Sequence, residues 1–289
     1  MKDLGSCSHF LGITTTFTSA GVFLSQATYA NTLLHRAGML TCKPASSPLP
    51  LKLGASCPND ALFTSPELYR SLAGSLQYLT DTRPDISYVV NYLCQFMHSP
   101  KICHFQLLKR VLHYIKGTLN HSLHFKLGPL ILSAFCDSDW VGDSLDRRST
   151  SGFCVFLGSN LISWCAKKQP TVARSSTEAE YRALAITASE LIWLRRLLRE
   201  LDISVDSPTD IYCDNISAIA LTSNPVFHAR TKHIEVDYHF IREKVLSKEL
   251  HIAHVSSADQ PADIFTKSLT ARRHSLLYSK LKVSSLPSA

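Results

Sequence analysis

The sequence has no C-x-x-C pair, and its nine cysteines are odd in number, which leaves no basis for a zinc ribbon or a disulfide framework. A reducing, intracellular setting follows, cytoplasmic or nuclear. Long apolar runs are missing too. The stretch from Pro129 to Cys136 is among the longest and falls far short of the roughly 20 residues a membrane-spanning helix needs. Met1-Lys2-Asp3-Leu4-Gly5 carries no signal-peptide h-region, so neither secretion nor a membrane partner is expected. A large charge excess is also absent: 30 Lys and Arg against 23 Asp and Glu give +7, a slight tilt toward a polyanionic partner. What is present is 289 residues with 45% hydrophobic and 18% charged content, enough for one large or two ordinary globular domains.

Residues 10–26 alternate around Ser19-Ala20-Gly21 as a β-hairpin does, and a helix from about Tyr29 to Gly38 follows. Residues 41–65, with Pro44, Pro48, Pro50 and Pro58, lack any period and are expected to be a linker. Ser65-Pro66-Glu67 then caps a helix with Leu68, Leu72, Leu76 and Leu79 along it. Further helices are predicted over about Asp85–His98 and Lys101–Gly117. The basic and aromatic residues of this part (His104, Lys109, Arg110, His113, Tyr114, Lys116) are expected on a solvated outer face.

From Ile131 the period changes. Strands are predicted over Ile131–Asp137, Gly152–Leu157 and Leu161–Ala166, then a long amphipathic helix from Thr177 to Leu201. A strand Asp210–Asp214, helices Ile216–Thr222 and Ile234–Ser247, a strand Leu250–Val255 and a last helix from about Ala262 complete the order. This β-β-β-α-β-α-α-β-α order allows a mixed five-stranded sheet with flanking helices, an α/β fold.

In that order four acidic residues can meet: Asp137 ending the first strand, Glu180 early in the long helix, Asp214 ending the fourth strand and Asp263 opening the last helix. Carboxylates without histidine or cysteine partners suit Mg²⁺ or Mn²⁺, which prefer oxygen. Two such ions roughly 3.5–4 Å apart can activate a water and stabilise a leaving 3′ oxygen in phosphodiester hydrolysis. Facing carboxylates repel unless cations lie among them, so the set is hard to justify structurally. Each one alone reads as a turn or helix-start residue.

Six blocks in order carry a resemblance: Phe135-Cys136-Asp137-Ser138-Asp139-Trp140, Asp146-Arg147-Arg148-Ser149-Thr150-Ser151-Gly152, Ser175-Ser176-Thr177-Glu178-Ala179-Glu180-Tyr181, Tyr212-Cys213-Asp214-Asn215, Thr231-Lys232-His233-Ile234 and Ala262-Asp263-Ile264-Phe265-Thr266-Lys267. Together they resemble the ribonuclease H region of the Pol polyprotein of copia-type LTR retrotransposons. The resemblance implies a ribonuclease H-like fold and two-metal, endonucleolytic hydrolysis of the RNA strand of an RNA–DNA hybrid. Two Mg²⁺ ions, or Mn²⁺, would be held by Asp137, Glu180, Asp214 and Asp263. Asp139, Glu178 and Asp259 are close rivals for three of these places. The strand-end Phe-Cys-Asp, the Ala-Glu-Tyr helix start and the closing Ala-Asp-x-x-Thr-Lys pattern favour the set given.

Members of this class can use a histidine near the last strand, for which His251 and His254 are the candidates. The usual Gly-His loop is replaced by Val255-Ser256-Ser257, so both are expected to be ordinary strand residues. Arg147, Arg148, Lys167, Lys168, Gln169, Arg174, Arg230, Lys232 and His233 lie in loops and turns where phosphate contacts would be, and Asn215 follows the third carboxylate. Trp140 and Trp164 are expected to be core or wall residues.

Upstream, Tyr69-Arg70-Ser71-Leu72-Ala73-Gly74-Ser75-Leu76-Gln77-Tyr78-Leu79 and Thr82-Arg83-Pro84-Asp85-Ile86 are similar to the end of the same Pol's reverse transcriptase. The implied division is a palm-end remnant (1–40), a linker (41–65), a helical thumb or connection-like region (66–127) and a ribonuclease H domain (128–289). The polymerase's Tyr-x-Asp-Asp turn occurs nowhere, so no DNA synthesis is expected. The implied partners are an RNA–DNA hybrid and other Pol or Gag products of the element. The alternative is a catalytically inactive nucleic-acid-binding or interaction module of the same origin.

Overall fold

The computed structural model describes residues 7–51, 61–205, 207–223 and 235–285. The chain divides into two compact units, 1–127 together with 268–289, and 128–267.

The first unit begins with short strands β1 (His9–Phe10), β2 (Ile13–Thr18) and β3 (Gly21–Ser25), the last two forming the expected hairpin. Helix α1 (Ala27–Arg36) follows. Helix α2 (Pro66–Leu79) starts on proline, whose fixed φ suits the first turn. Its buried face is Tyr69, Leu72, Leu76 and Leu79, while Leu68, expected on that face, is exposed. A 3₁₀ turn (Pro84–Ile86) leads into α3 (Ser87–Cys94), so the helix expected from Asp85 to His98 is shorter, and α4 (Ile102–Gly117) matches its expected range closely. Strand β4 (His121–Phe125) pairs antiparallel with β3.

Leu33, Leu34, Leu72, Leu76, Val90, Leu108 and Leu112 belong to one apolar core shared by the four helices. Residues 1–40 and 66–127 are therefore not separate bodies. Leu49, in the segment expected to be a linker, lies in that same core, and Ala45 N–H donates to the His113 carbonyl, so the described part of 41–65 is built into the unit. His104 and Tyr114 are buried rather than on a solvated face.

In the second unit β5 (Leu132–Asp139), β6 (Thr150–Leu157) and β7 (Asn160–Lys168) form an antiparallel meander. Helix α5 (Ser176–Glu200) crosses to β8 (Thr209–Cys213), which runs parallel to β5. Helices α6 (Ile216–Ser223) and α7 (Glu235–Leu246) then lead to β9 (Leu250–His254), parallel to β8. The sheet order β7-β6-β5-β8-β9 gives the mixed five-stranded sheet with flanking helices that was expected. Leu184, Leu191 and Leu194 of α5 bury against Ala134, Val155 and Ile211 of the strands. Asp263 lies in a five-residue 3₁₀ turn (Pro261–Phe265) rather than opening a longer helix.

The chain then returns to the first unit. Helix α8 (Ala271–Lys280) and strand β10 (Val283–Ser285) follow, and β10 pairs antiparallel with β4 to complete the sheet β1-β2-β3-β4-β10. The boundary expected at 289 for the second domain is thus at 267. The pairing partner of β10 lies more than a hundred residues earlier, a non-local choice that neither propensity nor period encodes.

Candidate active site

The site is built from the middle of the sheet outward. Asp137 lies on β5, 0% exposed, directly across from Gly152 on β6. A β-carbon on Gly152 would come within 2.7 Å of Phe265 Cβ and Thr266 Cγ2, so only glycine admits the 261–266 segment here. That close approach brings Thr266 and Lys267 to Asp137. Thr266 Oγ1 donates to Asp137 Oδ2, Lys267 Nζ donates to Asp137 Oδ1 at 3.0 Å, and the same Nζ reaches Asp263 Oδ1 at 2.7 Å. Gln260, fully buried, fixes the turn's entry: its Nε2 donates to the Cys136 carbonyl and its Oε1 accepts from Ala262 N–H.

Glu180 arrives from α5, whose N-cap Ser175 accepts from Glu178 N–H at 3.1 Å. Its Oε1 accepts from Ser138 N–H at 3.2 Å, which sets the carboxyl beside Asp137, and the Cys213 thiol donates to its Oε2 at 3.9 Å. Asp214 follows β8 and is half-buried, its Oδ2 accepting from Ser257 Oγ at 2.8 Å. One ligand atom each from Glu180, Cys213 and Asp214 lie within 4.8 Å of one another. Four elements thus contribute to one place, linked pairwise: Asp137 with Asp263 through Lys267, Asp137 with Glu180, and Glu180 with Asp214.

Burial and mutual repulsion shape the electrostatics. Burial, then the charges of Asp137, Cys213 and Asp214, pushes the Glu180 carboxyl up to about 10. Burial raises Asp137 as well; Lys267 opposes the rise and Asp263 adds to it. Lys267 is itself held above its ordinary value, because Asp137 and Asp263 outweigh its partial burial. Asp139 is pushed up to about 7 by burial, against a hydrogen bond from Thr150 N–H.

Two of the three rivals are committed elsewhere. Glu178 binds Arg182 Nη2 at 2.7 Å and accepts from Arg174 N–H at 2.9 Å. Asp259 accepts from Ser256 Oγ at 3.0 Å. His251 pairs with Asp210 at 2.8 Å on β9, and His254 ends the same strand, both exposed.

Of the expected phosphate contacts, Arg147, Arg148, Lys167 and Arg174 are exposed. Lys168 is bound to Asp143 at 2.5 Å and Asp146 at 2.9 Å, so it ties down the 139–150 loop. Asn215 Oδ1 accepts from Ala218 N–H at 2.9 Å and caps α6. Arg230, Lys232 and His233 lie outside the described residues. Trp140, expected in the core or its wall, is 53% exposed, with its indole N–H donating to the Ala173 carbonyl.

Gln169, grouped by sequence with the phosphate contacts, is 1% exposed and cannot serve as one. Its Nε2 donates to Ser138 Oγ at 3.3 Å, Ser151 Oγ at 2.9 Å and the Ala179 carbonyl at 3.0 Å. It therefore ties together the chain neighbours of Asp137 and Glu180. Sequence reasoning missed that role, and for Gln260 the only signal was the proline following it.

No family profile matches the chain. The chain is 48% identical over 288 residues to the retrovirus-related Pol polyprotein from transposon RE1 of Arabidopsis thaliana, covering 99% of this chain and 20% of that protein. It is 59% identical over 194 residues to an uncharacterized mitochondrial protein of Arabidopsis thaliana, covering 67% of this chain and 80% of that protein. Among solved structures it is similar to LC11-RNase H1, isolated from compost by a metagenomic approach, at 14% identity and a TM-score of 0.36, covering 47% of this chain and 93% of that one. The chain spans about a fifth of the length of the Pol polyproteins it matches.

Proposed function

Because this chain belongs to the retrovirus-related Pol polyproteins of copia-type transposons, we propose that residues 128–267 hydrolyse the RNA strand of RNA–DNA hybrids, with Asp137, Glu180, Asp214 and Asp263 as ligands of two divalent cations. The observation that carries this reading is a linked series of four carboxylates, three of them buried: Lys267 joins Asp137 to Asp263, and Glu180 lies beside both Asp137 and Asp214. Burial first, and then repulsion from Asp137 and Asp214, lifts Glu180 to about 10, and the repulsion is a cost that bound cations would relieve. The donor set suits hard cations of the Mg²⁺ or Mn²⁺ kind, since every proposed ligand atom is a carboxylate oxygen. The Lys267 ammonium between Asp137 and Asp263 is direct evidence that positive charge is accommodated there.

Asp137, Glu180, Asp214 and Asp263 would hold the two cations, whose chemistry when bound would be activation of a water and stabilisation of charge on the leaving 3′ oxygen. The chain's own residues hold the geometry. Thr266 and Lys267 fix both oxygens of Asp137, Ser138 N–H fixes one oxygen of Glu180, and Ser257 fixes one of Asp214. Gln169 keeps the strands and α5 in register around them. Arg147, Arg148, Lys167 and Arg174 are the proposed backbone contacts to the hybrid, whose recognition needs phosphate and 2′-hydroxyl contacts rather than base readout. No Tyr-x-Asp-Asp turn is present, so polymerisation is not assigned to these residues.

Asp137→Asn or Asp214→Asn in the full chain is expected to abolish Mg²⁺-dependent cleavage of a labelled RNA–DNA hybrid while leaving the circular dichroism spectrum unchanged. Cleavage that survives both substitutions overturns the assignment. Salt-sensitive hybrid binding without cleavage by the unsubstituted chain would make it a binding module instead.

A further inference from the structure

Two buried cysteines of the second unit differ sharply in what they face. Cys154 on β6 is fully buried, and burial pushes its thiol well above the usual range, as for a small apolar core residue. Cys213, equally buried at the end of β8, faces the carboxylates. Its sulfur lies 3.9 Å from Glu180 Oε2, and Asp214 is the next residue along the chain. Asn215 N–H donates to the same sulfur at 3.4 Å, and the Cys136 thiol on neighbouring β5 hydrogen-bonds it as well. Among the described residues, Glu180, Cys213 and Asp214 form a group whose three ligand atoms lie within 4.8 Å of one another.

Sulfur changes which cation such a group prefers. Mg²⁺ takes oxygen ligands in near-octahedral array and gains nothing from a thiolate. Zn²⁺ accepts four-coordinate sites of mixed sulfur and oxygen, with sulfur at ~2.3 Å and carboxylate oxygen at ~2.0–2.2 Å. Thiolate donors select the softer metals, and Zn²⁺ also stands above the early divalent cations in intrinsic affinity.

We propose that Glu180, Cys213 and Asp214 form a mixed sulfur–oxygen site for a thiophilic divalent cation of the Zn²⁺ class, and that its occupation arrests hydrolysis by removing two carboxylates from the Mg²⁺ site. The inference rests on the ribonuclease reading for the arrest, but not for the binding. On binding, the Cys213 S–H bond is replaced by a sulfur–cation bond and the proton passes to solvent. No electrons are transferred, and removing the cation with a chelator restores the thiol.

The test uses the full chain, stripped with a chelator and loaded with one equivalent of Zn²⁺. X-ray absorption at the zinc edge is expected to show one sulfur among oxygen neighbours; a shell without sulfur, or with several, overturns the proposal. Cd²⁺ titration should produce an ultraviolet thiolate charge-transfer band at the tightest site that Cys213→Ser removes and Cys154→Ser keeps. In the hybrid assay, Cys213→Ser should raise the Zn²⁺ concentration for half-inhibition about tenfold or more, read against that variant's own uninhibited rate. An unchanged inhibition curve in a folded Cys213→Ser protein also overturns the arrest. The zinc-edge measurement needs no variant and so decides the binding even if Cys213→Ser fails to fold. Mg²⁺-dependent cleavage with a sulfur-free zinc shell ends this inference and leaves the ribonuclease reading intact. A one-sulfur shell in a chain that cleaves no hybrid keeps the cation site and ends the ribonuclease reading.

Discussion

Both units bury titratable groups, and they do so in opposite ways. In the first unit, Arg83 and Asp85 form a two-pronged pair at 2.8 and 2.9 Å, and both find further partners. Tyr114 donates to Asp85 Oδ2, Arg83 donates to the carbonyl and hydroxyl of Thr118, and His274 of α8 reaches the Asp85 carbonyl. Against the cost of burial, Arg83 holds the Asp85 carboxyl below its usual range. In the second unit, Asp137, Glu180 and Asp263 are buried with Asp214 beside them, and Lys267 is the cation bound to two of them. A buried charge balanced by its neighbours holds a fold together, whereas an unbalanced group of one sign calls for something from outside. The same residue type, aspartate, is stabilising at 85 and costly at 137 because of what surrounds it.

The comparison breaks most visibly at Arg83. Arg83→Ala leaves Asp85 buried and unpaired, and is expected to cost about 3–5 kcal/mol. Hydrogen exchange read by mass spectrometry should show protection lost in residues 61–127 and 271–285 before 128–267; uniform loss would mean that the pair is not specific to its unit. Divalent cation should act on the other unit. At a Mg²⁺ concentration of 100 times its dissociation constant, the second unit should gain about 2.7 kcal/mol of protection. A gain confined to the first unit would contradict the assignment of the carboxylates.

A smaller effect is expected at Gly152. Gly152→Ala must push the 261–266 segment off β6, at about 1–3 kcal/mol for an overpacked site, and should weaken Mg²⁺ binding in calorimetry by displacing Thr266 and Lys267 from Asp137. Unchanged cation affinity would separate the glycine from the site. The smallest effect concerns acid. Burial holds His274 below its ordinary value, so the folded first unit favours the neutral ring. That contribution is intact above the unfolded value near ~6.5 and is lost as pH falls below it, by about 1.4 kcal/mol per pH unit at most. His274→Gln keeps a donor for the Asp85 carbonyl and should flatten the melting-temperature profile between neutral pH and the onset of Asp85 protonation.

The second unit was legible in the sequence because its signals are local. The strand pattern of β5 to β7, the leucine period of α5 and the short strand before Asp214 each announce one element. The four carboxylates stand at or near the ends of those elements. Other features depended on distant partners. Nothing within 268–285 says which sheet β10 joins. Lys168 resembles a free phosphate contact until Asp143 and Asp146 fold back onto it, and Gln169 resembles a loop residue until three backbone segments close around it. Asp263, expected to open a last helix, lies instead in a 3₁₀ turn that packs closely on Gly152, a partner more than a hundred residues away.

The return of the chain to the first sheet also orders events in time. Residues 128–267 are continuous, so this unit has every part it needs once they have left the ribosome. The first unit, although its helices are made first, must wait for β10 to cover β4. During synthesis its sheet therefore carries an open edge while the rest of the chain emerges, and a reading frame that stops after Lys267 would leave that edge open permanently.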